Sequence, residues 1–284
     1  EKNWEYFALE HATIHVDDQQ TLEDATLLFH DGKIVSVGKG ISLPKLTLKL
    51  DYTGKHIYPS FIDLSSNYGQ PAIPQAPWSP MPQMDRNRKG AFGWNDAIHA
   101  DHAASYHFEY NDEQAQSYIK AGFGAALSHQ KDGIVRGSGC LVAFHDNELK
   151  ALIQSQASAH YSFDKGSSRQ EYPNSLMGSI ALLRQTYYDA QWYKISGIQS
   201  ERNLSLESFL QLQNFPSFFD CDDKWNALRA DKIGDEFGIQ YIIKGGGNEY
   251  QRLAEIKASK ASFIIPVNFP GPIDCTDPIL VKQI

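Results

Sequence analysis

Apolar and polar positions divide this chain into a short β-rich head and a longer body where two periodicities take turns. In the head, Tyr6 to Val16 alternates in part, and Ala25–Phe29 and Lys33–Val37 flank His30-Asp31-Gly32. An Asp-Gly pair between two apolar runs predicts a hairpin, because a type I′ turn needs positive φ at both central residues. Leu46–Leu50 alternates again, ahead of Asp51-Tyr52-Thr53-Gly54-Lys55. Ile57 to Leu64 then reads as one short buried strand, with Pro59 near its start, where a missing N–H is tolerated. The polar run Ser65-Ser66-Asn67 marks the mouth of that strand, and Gly69 turns the chain away.

From Asp112 onward, helical and strand patterns alternate. Asp112 is expected to cap a helix over Glu113–Lys120, and Phe123–Ser128 reads as a buried strand ending at His129. Asp132 to Gly139 reads as a Gly-rich turn, followed by a β pair over Cys140–Phe144 and Leu149–Ile153. It is not a phosphate loop, for no Gly-Lys-Ser/Thr follows. Leu176, Ile180, Leu183, Tyr187 and Ala190 give a helical stripe from Leu176 to Tyr193, with Tyr187, Tyr188, Trp192 and Tyr193 read as packing residues. A second helix is predicted over Ser205–Gln213. The last third is the clearest βα repetition: strands over Phe215–Phe219, Ile239–Ile243 and Phe263–Val267, with helices over Lys224–Glu236 and Asn248–Ala258. Apolar strands in short βα units imply a parallel sheet. The glycines Gly245-Gly246-Gly247 open the last helix and offer backbone donors for an anion.

Two stretches carry candidate chemistry of their own. Residues 70–97 are Pro-rich, with Trp78, Met81 and Met84 between the prolines, and a long connection after a strand mouth is read either as a lid or as a surface insertion or subunit contact. His99, His102 and His107 lie close in sequence, but His107 swings away from His102 on a helix, and no Glu completes a His-Glu-x-x-His site. They are read as surface or core-edge histidines.

Composition narrows the classes. With 284 residues, 42% of them hydrophobic, the chain suits one large α/β domain or that plus a small partner. A net charge of −8 and the lack of a basic stripe argue against nucleic acid as a partner. No apolar run approaches the roughly 20 residues of a membrane span. Cys140, Cys221 and Cys275 are far apart, which supports neither a disulfide framework nor a zinc knuckle. Residue 1 is Glu, as after removal of a leader or a tag, and export, to the periplasm for instance, is the expectation.

The order strand, "DGKIVSVG" hairpin, strand, "TGK" and a strand ending in "FID" resembles the entry to the amidohydrolase superfamily, in its bacterial branch related to imidazolonepropionase and cytosine deaminase-like enzymes. That resemblance implies an α/β fold, a TIM-like (β/α) barrel preceded by a small N-terminal β-sandwich in a urease-like composite. It places residues 1–55 in the sandwich part and 56–284 in the barrel, with an insertion over 70–110. It also implies a divalent metal that activates water against a C–N bond, held by a His-x-His pair after the first barrel strand and by residues at later strand ends. Here Ser65 and Asn67 stand at the His-x-His positions, Asp220 and Cys221 end the strand resembling the fifth, and Lys244-Gly245-Gly246 ends the one resembling the sixth. Neutral oxygens are weak zinc ligands beside imidazole.

The expectation is therefore a domain without its metal centre, serving as a non-catalytic scaffold or as partner of an active domain in a longer protein. No cofactor is expected, and the pocket candidates are Ser65, Asn67, His129, Asp220 and Lys244. About seven strands can be placed, so the barrel is expected to be incomplete and to need more of the same protein or another subunit; a small-molecule ligand is a further possible partner. The alternative is a hydrolase of non-peptide C–N bonds that binds zinc through ligands drawn from His129, Asp220, Lys244 and the His99–His107 cluster.

Overall fold

The structure is a computed structural model and describes residues 5–73, 80–86, 88–145, 148–195 and 201–266. Trp78, Val267, Asn268 and Cys275 lie outside the described residues. The chain forms two compact units, residues 1–61 and 62–284.

The first unit is one five-stranded sheet. Its strands are β1 (Tyr6–His15), β2 (Thr21–His30), β3 (Lys33–Gly38), β4 (Thr47–Asp51) and β5 (His56–Ile57). Their order is β3-β2-β1-β4, with β5 also on β1; β1–β2 and β2–β3 are antiparallel, while β4 and β5 run parallel to β1. The β2–β3 turn has positive φ at both Asp31 (47°) and Gly32 (72°), as the Asp-Gly pair predicts. Ala12, Ile14 and Ala25 are buried against Leu22, Leu27 and Val37.

The predicted strand Ile57–Leu64 is broken in two. β5 ends at Ile57 in the first sheet, and β6 (Phe61–Ser66) begins in a different sheet. Pro59 sits in the gap, where it has no N–H to give either ladder.

The second unit holds a seven-stranded sheet in the order β12-β11-β10-β9-β8-β7-β6. After β6 come β7 (Phe123–Ser128), β8 (Val135–Ala143), β9 (Leu152–Ser162), β10 (Ser217–Asp220), β11 (Tyr241–Lys244) and β12 (Ser262–Ile264). The helices are α1 (Asp112–Lys120), α2 (Glu148–Ala151), α3 (Leu176–Ile195), α4 (Leu204–Leu212), α5 (Lys224–Phe237) and α6 (Leu253–Ser259). β9 to β12 are parallel, as the βα pattern predicts, but β8 runs antiparallel to both β7 and β9. The result is a mixed α/β architecture.

Three predicted features change. The Gly-rich stretch over 132–139 is largely strand, because its small residues let two layers of backbone approach. A Cβ on Gly137 would run into the His102 carbonyl, and one on Gly139 into Ser158 Oγ and His160 Nε2. The predicted strand at Leu149–Ile153 is split between α2 and the start of β9. The cap of α1 is Asn111, whose side chain accepts from Gln114 N, with Asp112 as first helical residue.

The main core lies between this sheet and its helices. α3 buries Leu182, Leu183, Thr186, Tyr187, Ala190 and Tyr193, the spacing of a single helical stripe, while Tyr188 and Trp192 remain exposed. Tyr187 reaches Tyr241 of β11 through a 2.5 Å hydroxyl–hydroxyl hydrogen bond, so these buried phenols are not left unpaired. Burial of each such large side chain contributes about 1.5–3 kcal/mol.

Candidate functional site

In open α/β sheets the crevice outside the carboxyl ends of the strands is the usual ligand position. Three parallel strands end together here: Asp220 of β10 pairs in register with Lys244 of β11 on one side and Ser162 of β9 on the other. The antiparallel β8 starts at the same edge, since Val135 pairs with Tyr161, and this brings Arg136 beside them. The four residues line a cleft of about 1110 Å³.

Asp220 is gripped from both sides. Lys244 Nζ donates to Oδ1 at 2.8 Å and Arg136 Nη1 to Oδ2 at 2.9 Å. Burial alone would raise the Asp220 carboxyl, but the Lys244 hydrogen bond and the Arg136 charge outweigh it and hold the group below its ordinary value. Arg136 is nearly enclosed, its side chain 6% exposed against 34% for Lys244. Its Nε donates to Gly133 O at 3.2 Å, and Ser162 Oγ donates to the same carbonyl at 3.1 Å. Lys131 stands close behind; burial first, and then the Lys244 charge, lower its amine.

Beneath the cleft lies a neutral stack. The rings of His129 and His160 are parallel (4°) at 3.6 Å between centroids, and the next ring, Phe218, is 5.3 Å from His160. His160 Nε2 shares a 2.7 Å hydrogen bond with Ser158 Oγ. Burial lowers His160 to about 3, with the Arg136 charge adding to it. His129 is pushed well below the usual range by burial, then by His160 and the nearby cations. Imidazole lone pairs lie in the ring plane, so two rings stacked face to face do not converge on one ion.

At the end of β11 the glycine turn does hold an anion, and the anion is internal. Gly246 N and Gly247 N donate to the Glu249 carboxylate at 2.7 and 3.0 Å, and Glu249 is buried.

The structure separates the other candidates from this cluster. Ser65 is half-buried, its N–H donating to Asp63 Oδ1 at 3.0 Å, and the buried residues of that mouth are Ser66 and Tyr68. Asn67 is exposed and lines a different cleft of about 550 Å³ with Tyr68 and Asn111. His99, His102 and His107 lie mostly outside helix; His102 stacks on His107 at 4.7 Å, and burial lowers His102 to about 4. Of the candidates, then, Asp220 and Lys244 meet directly and His129 lies near them, while Ser65 and Asn67 stand apart.

A divalent metal does not fit this mouth. Both Asp220 oxygens are taken by cations, Lys244 is itself a cation, and the two imidazoles are stacked. Among the described residues, no group of three or more His, Cys, Asp or Glu side chains is placed to hold a metal ion. Arg136, Lys131, His160 and Ser162 are the site residues that the sequence pattern did not single out. One signal was available: Arg136 is the lone charge in Gly-Ile-Val-Arg-Gly-Ser-Gly, and a charge within a small, apolar strand needs a partner.

No protein-family model matches the sequence, and no curated protein matches it. Among solved structures, an amidohydrolase from Thermotoga maritima is similar with a TM-score of 0.71 at 18% identity, over 98% of this chain and 76% of that one. At that identity the likeness is one of fold. A prolidase solved with N-methylphosphonate-L-proline (10% identity, 92% and 66% covered) and a D-hydantoinase from Thermus sp. (12%, 84% and 57%) reach TM-scores of only 0.41 and 0.31, too low to carry weight.

Proposed function

We propose that this chain is an amidohydrolase-superfamily domain whose metal centre has been replaced by an ion-paired binding cleft, and that it works as a non-catalytic scaffold or binding module. The observation that carries this reading is the Arg136–Asp220–Lys244 cluster. It occupies the strand ends where the resemblance puts metal ligands, and it spends the Asp220 carboxylate on two cations. The shared fold with a Thermotoga amidohydrolase supports the superfamily assignment and, with it, a TIM-like barrel entered through a small β-sandwich. The same reading expects further strands beside the edge strands β6 and β12, from chain outside the described residues or from another subunit. Ile62 and Leu64 of β6 are exposed, which suits an edge awaiting cover.

One observation favours the alternative, a hydrolase of non-peptide C–N bonds with unusual ligands: His129 Nδ1 is buried without a hydrogen-bond partner among the described residues. Metal analysis separates the two. Full-length protein produced in zinc-supplemented medium and desalted is expected to carry far less than one zinc per chain by inductively coupled plasma mass spectrometry. Stoichiometric zinc, lost on His129→Ala, would overturn the proposal and install the alternative.

A further inference from the structure

Two cations meet one carboxylate at the cleft floor, and neither cation has used all its donors. Arg136 gives Nε to Gly133 O and Nη1 to Asp220, while Nη2 donates to no described residue. The guanidinium is more than nine-tenths buried, and it lines the cleft. Nη2 is not among the enclosed polar atoms left without a partner, so it reaches the cleft, where a guanidinium held this tightly presents a fixed N–H donor to an acceptor. Lys244 uses one of its three N–H donors on Asp220, and it is the more accessible of the two cations.

The charge count then chooses the acceptor. Arg136, Lys244 and Asp220 leave one positive charge on the cleft floor, and Lys131 does not line the cleft. The rim adds Asp164 and Asp222 against Lys165, and Lys165 is tied down, donating to Gln170 O at 3.0 Å. A single negative charge is matched at the floor, whereas a dianion meets the two rim carboxylates. A planar carboxylate also suits the remaining edge of a guanidinium.

We propose that the cleft binds small monocarboxylates, with Arg136 Nη2 and Lys244 Nζ as the donors to the ligand's carboxylate and Asp220 holding both cations in place. A cleft of about 1110 Å³ leaves room for the rest of such a molecule. The proposal rests on the reading of this mouth as a metal-free binding cleft. The two fail separately, because zinc analysis tests that reading without any ligand.

The test is calorimetric and NMR titration of the full chain with sodium butyrate, sodium phosphate and butanol at constant ionic strength near neutral pH. Saturable butyrate binding is expected, with phosphate weaker and butanol silent. Lys244→Gln and Arg136→Lys should each weaken butyrate by about tenfold or more, the loss that follows removal of one charge-assisted hydrogen bond. Circular dichroism and a thermal melt establish that each variant is folded. Should Arg136→Lys fail to fold, Lys244→Gln alone decides, since Lys244 is the outer of the two cations. Lys194→Gln, at the end of α3, serves as a charge-matched control and should bind as the parent does. No saturable butyrate binding by the folded parent chain, undiminished binding by folded Lys244→Gln, or tighter binding of phosphate would each overturn the proposal.

Discussion

Two carboxylates sit side by side at the carboxyl edge of the large sheet, and they are held in opposite ways. Glu249 rests on two backbone N–H groups of the glycine turn, partners two and three residues away in sequence. Asp220 rests on side-chain cations from β8 and β11, which are 84 and 24 residues away. Glu249 uses both donors of its cradle and leaves none over; Asp220 is outnumbered by its cations and leaves one positive charge. The first arrangement closes a turn, while the second leaves donors facing a cleft. An anion seat is therefore a candidate binding site only where the protein's own acid falls short of the donors supplied.

The sharpest way to break this contrast is to remove the enclosed cation. Arg136→Met leaves the Asp220 carboxylate with Lys244 alone, at a site whose charges are largely out of water. Breaking a buried pair by deleting one partner costs about 3 kcal/mol or more. Urea denaturation should show a loss near that size with an unchanged slope. A loss below about 1 kcal/mol would mean that the pair is screened like a surface bridge, and the contrast with Glu249 would disappear.

Glu249→Ala probes the other seat. It strands two N–H donors in a half-buried turn, at a cost of about 2 kcal/mol if they go unmet. It also opens a second anion position, so sodium acetate should stabilise this variant more than the parent chain. Equal stabilisation of the two would show that the glycine turn reshapes once its own carboxylate is gone.

Acidity tests the neutral stack below the cluster. His160 is lowered to about 3 and His102 to about 4, both mainly by burial, against about 6.5 in the unfolded chain. The unfolded state then takes up protons first, so stability is fully present above pH 6.5 and falls as the pH drops from there toward 4 and below. Asp220 acts in the same sense at lower pH: its folded value lies below the unfolded one, so its contribution holds above about pH 4 and fades as the pH falls through that lower value. Each such proton steepens the decline by about 1.4 kcal/mol per pH unit. His160→Gln should flatten the stability curve between pH 6.5 and 4 by up to that amount, relative to its own value at pH 7.5. An unchanged slope would mean that His160 is already protonated in the fold.

The same division into near and far partners explains what the sequence disclosed. Features fixed within a few residues were legible: the Asp31-Gly32 turn, the glycine turn after β11, the βα alternation from β10 to β12, and the stripe of α3. Asp220 and Lys244 were legible as strand-end residues, because strand ends follow from local pattern. Their contact with Arg136 was not, since it depends on β8 running antiparallel between β7 and β9, and the glycines of β8 imitate a turn. β9 was anticipated only at its first two residues, Leu152 and Ile153, for a related reason. Its buried stretch is Ser158, Ala159, His160, Tyr161 and Ser162, which lacks the branched apolar residues that mark a strand. Ser65 and Asn67 lie apart from the ion cluster: the mouth of β6 buries Ser66 and Tyr68, and one residue of shift exchanges the two faces of a strand.

The smallest expected effect bears on whether the cleft depends on its loop or on its ions. After β10 the chain enters α5 through Asp223, whose Oδ1 accepts from Trp225 N at 2.6 Å and Asn226 N at 2.8 Å. The helix closes at Gly238, in the left-handed region with φ of 70°. Asp223→Ala removes the cap and should cost about 1 kcal/mol, roughly 2–4 °C in melting temperature for a unit of this size. Asp222 and Asn226 beside the cap line the cleft, but the proposed donors to a carboxylate stand on β8 and β11. Butyrate affinity should therefore stay within about twofold of the parent chain, well short of the tenfold that marks a lost charged contact. If Asp223→Ala instead weakened butyrate as much as Lys244→Gln does, the seat would be organised by the β10–α5 loop. The long-range ion cluster would then be a structural brace, and the open seat would be as local in origin as the closed one beside it.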